Sequence, residues 1–131
     1  MPAIYAAREL STAWAEYNQG FVQHPALILR LELSSASLAD LTVADTLPEL
    51  DVTPAIHDCQ WRADVDKGLV PATYRLRERL LEEGLDGVIY PSVMSRGGSC
   101  VALWRWNETG APSLRAIDPE GLLPHNQDSW R

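Results

Sequence analysis

Two stretches of the sequence place reactive residue types where a ligand could meet them. In the first, Trp14, Tyr17 and Phe21 recur at helical spacing and are expected to form a core-facing stripe, while Glu16 points roughly opposite, between the small residues Thr12, Ala13 and Gly20. A carboxylate framed by small side chains suits the floor of a pocket that a ligand approaches closely; the same placement also suits a solvated helix face. The second stretch is Tyr90-Pro91-Ser92 with Arg96-Gly97-Gly98 behind it. A serine directly after an apolar run lands at the carboxyl end of a strand, where sites gather, and paired glycines admit close backbone approach. Arg96 and the N–H groups of Gly97, Gly98 and Ser99 would then make an anion cradle; the plainer alternative is a turn of ordinary composition.

Little else in the chain is patterned for chemistry. There is no GxSxG, Walker loop, GxGxxG or HExxH, and His24, His57 and His125 each stand alone. Cys59 and Cys100 lie far apart, outside any CxxC or zinc spacing, so they read as reduced thiols, Cys100 within a buried strand. No metal site is expected. The polar set left is Glu16, Tyr5 and Ser92.

These residues need elements to hold them. Residues 4–7 read as a short strand, and Ser11-Thr12 as the cap of a helix running to about residue 22. Residues 26–33 read as a buried strand, 38–42 as a second, shorter one, and 46–50 as a helical turn or loop. Residues 53–66 form a short helix or irregular segment. Pro71 is expected at the first position of a helix over 72–83, with Tyr74, Leu76, Leu80 and Leu81 as its apolar pattern and Gly84 as its stop. Val88-Ile89-Tyr90 reads as a buried strand stopped by Pro91-Ser92, residues 100–106 as the next strand, 114–117 as an edge strand, and 119–131 as a polar tail.

With 131 residues, 46% hydrophobic and 22% charged, the chain has the profile of a single globular domain over 1–131. A chain of this size supports its own core without disulfide or metal. Its 11 basic and 18 acidic residues give a net charge of −7, which disfavours phosphate backbones and anionic membranes as partners. Apolar runs fall far short of the roughly 20 residues of a membrane span, and no basic leader opens the chain, so a cytoplasmic protein is expected.

Taken together, residues 5–16 (Tyr-Ala-Ala-Arg-Glu-Leu-Ser-Thr-Ala-Trp-Ala-Glu) and 84–92 (Gly-Leu-Asp-Gly-Val-Ile-Tyr-Pro-Ser) resemble the two best-marked blocks of the RES-domain family. The first is similar to its tyrosine, alanine and Thr-Ala-x-x-Glu block. The second is similar to its Gly-x-Asp-Gly-hydrophobic-x-x-Pro-Ser block, followed by a Gly-Gly turn and an apolar strand. Asp40-Leu41-Thr42 and Ala72-Thr73 resemble connecting segments, so the likeness spans roughly residues 3 to 106.

The resemblance implies an α+β fold, a compact mixed sheet with flanking helices like that of ADP-ribosyltransferases. It further implies a toxin of a type II toxin–antitoxin pair that consumes NAD+ as substrate, without a cofactor, by hydrolysis or phosphorolysis; some relatives instead modify proteins with ADP-ribose. The implied partner is an Xre-like helix-turn-helix antitoxin that covers the cleft, and a homodimer is left open. Carried over by motif, Glu16 matches the family glutamate, Ser92 its serine and Tyr5 the tyrosine of the active-site strand. The family arginine lies upstream of that tyrosine, on a segment that would precede Met1. Three readings follow: a shortened chain, Arg8 or Arg96 in the arginine's place, or an impaired module that only binds the antitoxin. In the active case Tyr5 would stack on nicotinamide, Ser92 would fix the ribose or carboxamide, and Arg96 with Gly97 and Gly98 would take the pyrophosphate.

Overall fold

The computed structural model describes residues 3–18, 28–43, 45–50 and 66–123. Strand β1 (Ile4–Ala7) leads into helix α1 (Leu10–Asn18), followed by β2 (Arg30–Ser34), β3 (Leu38–Asp40), the short α2 (Thr46–Glu49), α3 (Ala72–Glu82), β4 (Gly87–Pro91), β5 (Ser99–Leu103) and β6 (Ser113–Ile117). The content is α+β, as expected. Four strands form one mixed sheet in the order β1-β5-β4-β3, and β2 pairs with β6 in a separate two-stranded sheet. β4 runs antiparallel to β5 and parallel to β3. A parallel pair needs a crossover, and the segment carrying α2 and α3 supplies it.

The core lies on one face of the large sheet. Strand alternation and register put Ala39, Val88 and Ala102 side by side. Leu76 and Leu80 of α3, four residues apart on one helix face, pack against them with Leu41 and Leu47. Leu80 is fully buried. Helix α3 closes with a Schellman motif: Gly84, at φ +83°, donates to the Leu81 carbonyl while the Leu85 N–H reaches the Leu80 carbonyl. Asp86 then pins the start of β4. Its buried carboxylate accepts the Ser37 N–H at 2.9 Å and pairs with Arg105, and its carbonyl accepts the Trp104 N–H.

Several expectations from the sequence are corrected. Ser11 and Thr12 lie inside α1, whose cap position is Glu9, its carbonyl accepting the Ala13 N–H. Pro71 is the residue before α3 (φ −58°, ψ 144°), one position earlier than expected. Of the strand placed at 26–33, residues 26 and 27 lie outside the described residues and the strand observed is Arg30–Ser34; it is half-exposed because, among the described residues, it pairs with β6 alone and every second side chain faces outward. The strand expected to run to residue 106 ends at Leu103, where the Trp104 N–H turns to Asp86. The strand over 38–42 stops at Asp40, whose carboxylate caps the turn at the Thr42 N–H. The described part of the first helix ends at Asn18, and residues 51–65 and 124–131 lie outside the described residues, as do Phe21, Gly20, Cys59, His24, His57 and His125.

Trp14 and Tyr17 reverse the largest expectation. They are 50% and 44% exposed, whereas Thr12 is 1% exposed. The helix turns its small and acidic stripe, not its aromatic one, to the protein. The reason is the closeness of the backbone it packs on: a Cβ built on Gly98 would lie 2.1 Å from Thr12 Oγ1, so no larger pairing fits.

Candidate active site

Glu9, Thr12 and Glu16 follow one another at spacings of three and four residues, and this single stripe of α1 fastens the helix to the hairpin between β4 and β5. At its first rung the Glu9 carboxylate accepts the Ser99 N–H at 3.1 Å and the Ser99 hydroxyl at 3.4 Å. The Ser99 N–H above all holds the Glu9 carboxyl below its ordinary value. At the second rung Thr12 donates to Ser95 Oγ at 3.4 Å over the bare Gly98.

The third rung reaches the face of Cys100. Glu16 Oε1 accepts the Ser92 hydroxyl at 2.5 Å and faces the Cys100 thiol at 3.8 Å. Ser92 Oγ in turn accepts the N–H groups of Met94 and Ser95, at 3.2 and 3.0 Å. Its one proton and both lone pairs are therefore committed, and the proton points at Glu16. Ser92 acts here as a bracket that aims the carboxylate.

Tyr90 sits opposite Cys100 across the β4–β5 register, so its ring shares the face that Glu16 overlooks. Burial first, and then the neighbouring Cys100 and Glu16, push the Tyr90 phenol above its ordinary range. Burial and Glu16 likewise push the Cys100 thiol up. Both groups therefore keep their protons at neutral pH. Cys100 is free and buried, as the sequence indicated. The sequence singled out Tyr90 only as part of the Tyr90-Pro91-Ser92 stretch, with no role of its own, and gave the Cys100 thiol none; period-two alternation back from Ser92 does place Tyr90 on that face.

A cleft of about 770 Å³ opens beside Glu16. Tyr5 and Arg8, Trp14 and Tyr17, and Tyr90 and Cys100 line it, with Leu31, Leu33 and Leu114 of the small sheet on a further wall. Tyr5 is 71% exposed and stands on the same sheet face as Cys100 and Tyr90. Arg8 is the basic residue of the described lining, and its guanidinium lies 3.4 Å from Ser99 Oγ.

The structure thus sets Tyr5, Arg8 and Glu16 in the cleft lining, with Ser92 bonded to Glu16 from outside that lining, and leaves Arg96 exposed on the hairpin loop, also outside it. The anion cradle expected beside Arg96 is largely spent on the hairpin itself. Gly97 makes the turn at φ +81°, the Gly98 N–H donates to the Ser95 carbonyl, and the Ser99 N–H is held by Glu9. The Glu9 carboxylate thus takes one of the N–H groups on which that cradle was built.

Among the described residues no group of three or more His, Cys, Asp or Glu is placed to hold a metal ion, and no helix is long and apolar enough to cross a membrane. What the described lining of the cleft offers is one aimed carboxylate, one guanidinium and several aromatic faces. In comparisons with known proteins, the family model described as the RES domain matches residues 1–126. No curated protein and no solved structure matches the chain.

Proposed function

The chain belongs to the RES-domain family, a family associated with toxin–antitoxin pairs and NAD+-related enzymatic toxins, and we propose that it cleaves the bond between nicotinamide and ribose in NAD+. The observation that supports this most is the Ser92 hydroxyl aimed at Glu16 Oε1 on the wall of an aromatic cleft. Nicotinamide leaves from NAD+ as a neutral ring, so its departure needs no general acid, unlike that of an ordinary sugar with its two carboxylates. One carboxylate is enough.

As the C1′–N bond breaks, positive charge develops on the ribose. Glu16, held in place by Ser92, stabilises that charge and takes up the ribose hydroxyls, a gain made mainly in the transition state. Tyr5 stacks on the nicotinamide ring. Arg8 takes the pyrophosphate, in the role first considered for Arg96, because it lines the cleft. Water then forms the new C1′–O bond and gives up a proton, leaving nicotinamide and ADP-ribose; with inorganic phosphate as acceptor the product is ADP-ribose phosphate.

In this reading the chain is the toxin of its pair. Its partner is a helix-turn-helix antitoxin of the Xre-like type that covers the cleft and contacts the operator, since a chain of net charge −7 is poorly suited to DNA. Incubation of the purified chain with NAD+ tests the reading. Free nicotinamide appearing with ADP-ribose or its phosphate supports it. Label carried from NAD+ onto a protein points to ADP-ribosyl transfer instead, and the absence of nicotinamide release overturns it.

A further inference from the structure

Helix α1 offers two stripes, and the hairpin occupies only one of them. Ala13, Trp14 and Tyr17 face the cleft, and Glu16 lies at the seam between the stripes. The Trp14 and Tyr17 rings stand 6.3 Å apart between centroids, tilted by 35°, and each is close to half-exposed although its neighbour Thr12 is sealed. Large aromatic rings left open in a concave site are costly to hydrate, and they are the usual platform for a planar heterocycle. Tyr5, on a different element, is a third such ring at 71% exposure. The cleft therefore presents two separate aromatic platforms, one on β1 and one on α1, with the Arg8 cation in the same lining.

From this we infer that Trp14, backed by Tyr17, forms a base-stacking subsite for the adenine of a dinucleotide, so that the cleft selects NAD+ over nicotinamide mononucleotide. The inference rests on the NAD+ reading of Glu16 and adds its specificity. A cavity of about 770 Å³ has the capacity of cofactor-sized sites, larger than one nucleoside alone requires. A dinucleotide has two planar rings joined by an anionic bridge, matching two aromatic platforms with a guanidinium available for the pyrophosphate. Trp14 makes the better anchor because an indole gives the larger stacking face.

Two substitutions test the subsite: Trp14→Leu keeps apolar bulk without a ring face, and Trp14→Phe keeps a ring. Nicotinamide release from NAD+ and from nicotinamide mononucleotide is measured for each, beside calorimetric titration with ADP-ribose. The expected result is a fall of about ten-fold in kcat/KM for NAD+ and in ADP-ribose affinity for Trp14→Leu. Trp14→Phe should recover most of both, and turnover of the mononucleotide should stay within about two-fold of wild type throughout. An equal loss on both substrates, or no loss of ADP-ribose binding, overturns the subsite while leaving the NAD+ reading intact. If the wild type releases nicotinamide from neither substrate, the NAD+ reading falls; the subsite then stands if ADP-ribose binds and Trp14→Leu weakens it, and falls if ADP-ribose does not bind.

Discussion

Ser92 and Glu16 are 76 positions apart in the chain, yet the hydroxyl of one donates to Oε1 of the other at 2.5 Å. Two backbone N–H groups fix the same hydroxyl from behind, so the carboxylate is aimed by the β4–β5 hairpin instead of by its own helix alone. If aim is what Ser92 supplies, Ser92→Ala lowers kcat for nicotinamide release by about 10²-fold, the scale of a misplaced catalytic group, with KM little changed. Ser92→Thr, which keeps the hydroxyl, recovers part of the rate. Equal loss with alanine and threonine would show the hydroxyl to be incidental.

The close approach of α1 to the hairpin predicts a steric pair. Gly98→Ala puts a methyl group 2.1 Å from Thr12 Oγ1, where something must shift. The cost is about 1–3 kcal/mol, in the range of overpacked cores. Thr12→Ala removes the obstructing atoms, so the double substitution Gly98→Ala/Thr12→Ala is more stable than Gly98→Ala alone. Thermal melts of the three variants measure this, and additive losses would contradict it.

The pin at the start of β4 predicts a stability defect with no activity signature of its own. Asp86→Ala removes the partner of the Ser37 N–H and leaves Arg105 with the Gly84 carbonyl and solvent, for a loss of roughly 1–2 kcal/mol. Urea unfolding reads this as a lower midpoint at unchanged slope. A midpoint equal to wild type would mean that solvent satisfies both groups.

Glu9 predicts a pH effect on the same helix. Its carboxyl is lowered from an ordinary value of 4.5, chiefly by the Ser99 N–H, so the folded state favours the ionised form. The stabilisation is full above that ordinary value and is lost as the pH falls through the lower, folded one. Glu9→Gln removes this titration. Melting temperatures recorded from pH 7 downward should therefore fall less steeply below about pH 4.5 in Glu9→Gln than in wild type. Parallel curves would assign the acid sensitivity elsewhere.

Much of the candidate site's geometry was legible because its motifs are local. Glu16 on a helix and Ser92 at a strand end are short-range readings, and the spacing of Leu76 and Leu80 correctly marked the core face of α3. The sense of α1 was not legible, since Trp14 and Tyr17 at spacing three describe a core stripe and a cleft wall equally well. What decides between them is Gly98, 86 positions beyond Thr12 in the numbering, whose missing side chain lets the polar stripe sit down on the hairpin. The Gly97-Gly98 pair misled in the same way. Glycine signals close approach, but the sequence does not say whether a ligand or a helix is approaching. The register that sets Tyr90 beside Cys100 depends on where the hairpin turns, which the loop from Ser92 to Gly98 leaves open to sequence reading.

The central claim is that Glu16 stabilises charge on a ribose losing nicotinamide, and Glu16→Ala addresses it most directly. Nicotinamide release from NAD+ is followed for this variant, for wild type and for Glu82→Ala, which removes an exposed carboxylate of α3, with thermal melts alongside. The account predicts that Glu16→Ala loses about 10²-fold or more in both kcat and kcat/KM while its fold persists, and that Glu82→Ala matches wild type. Wild-type turnover by a well-folded Glu16→Ala protein would contradict it.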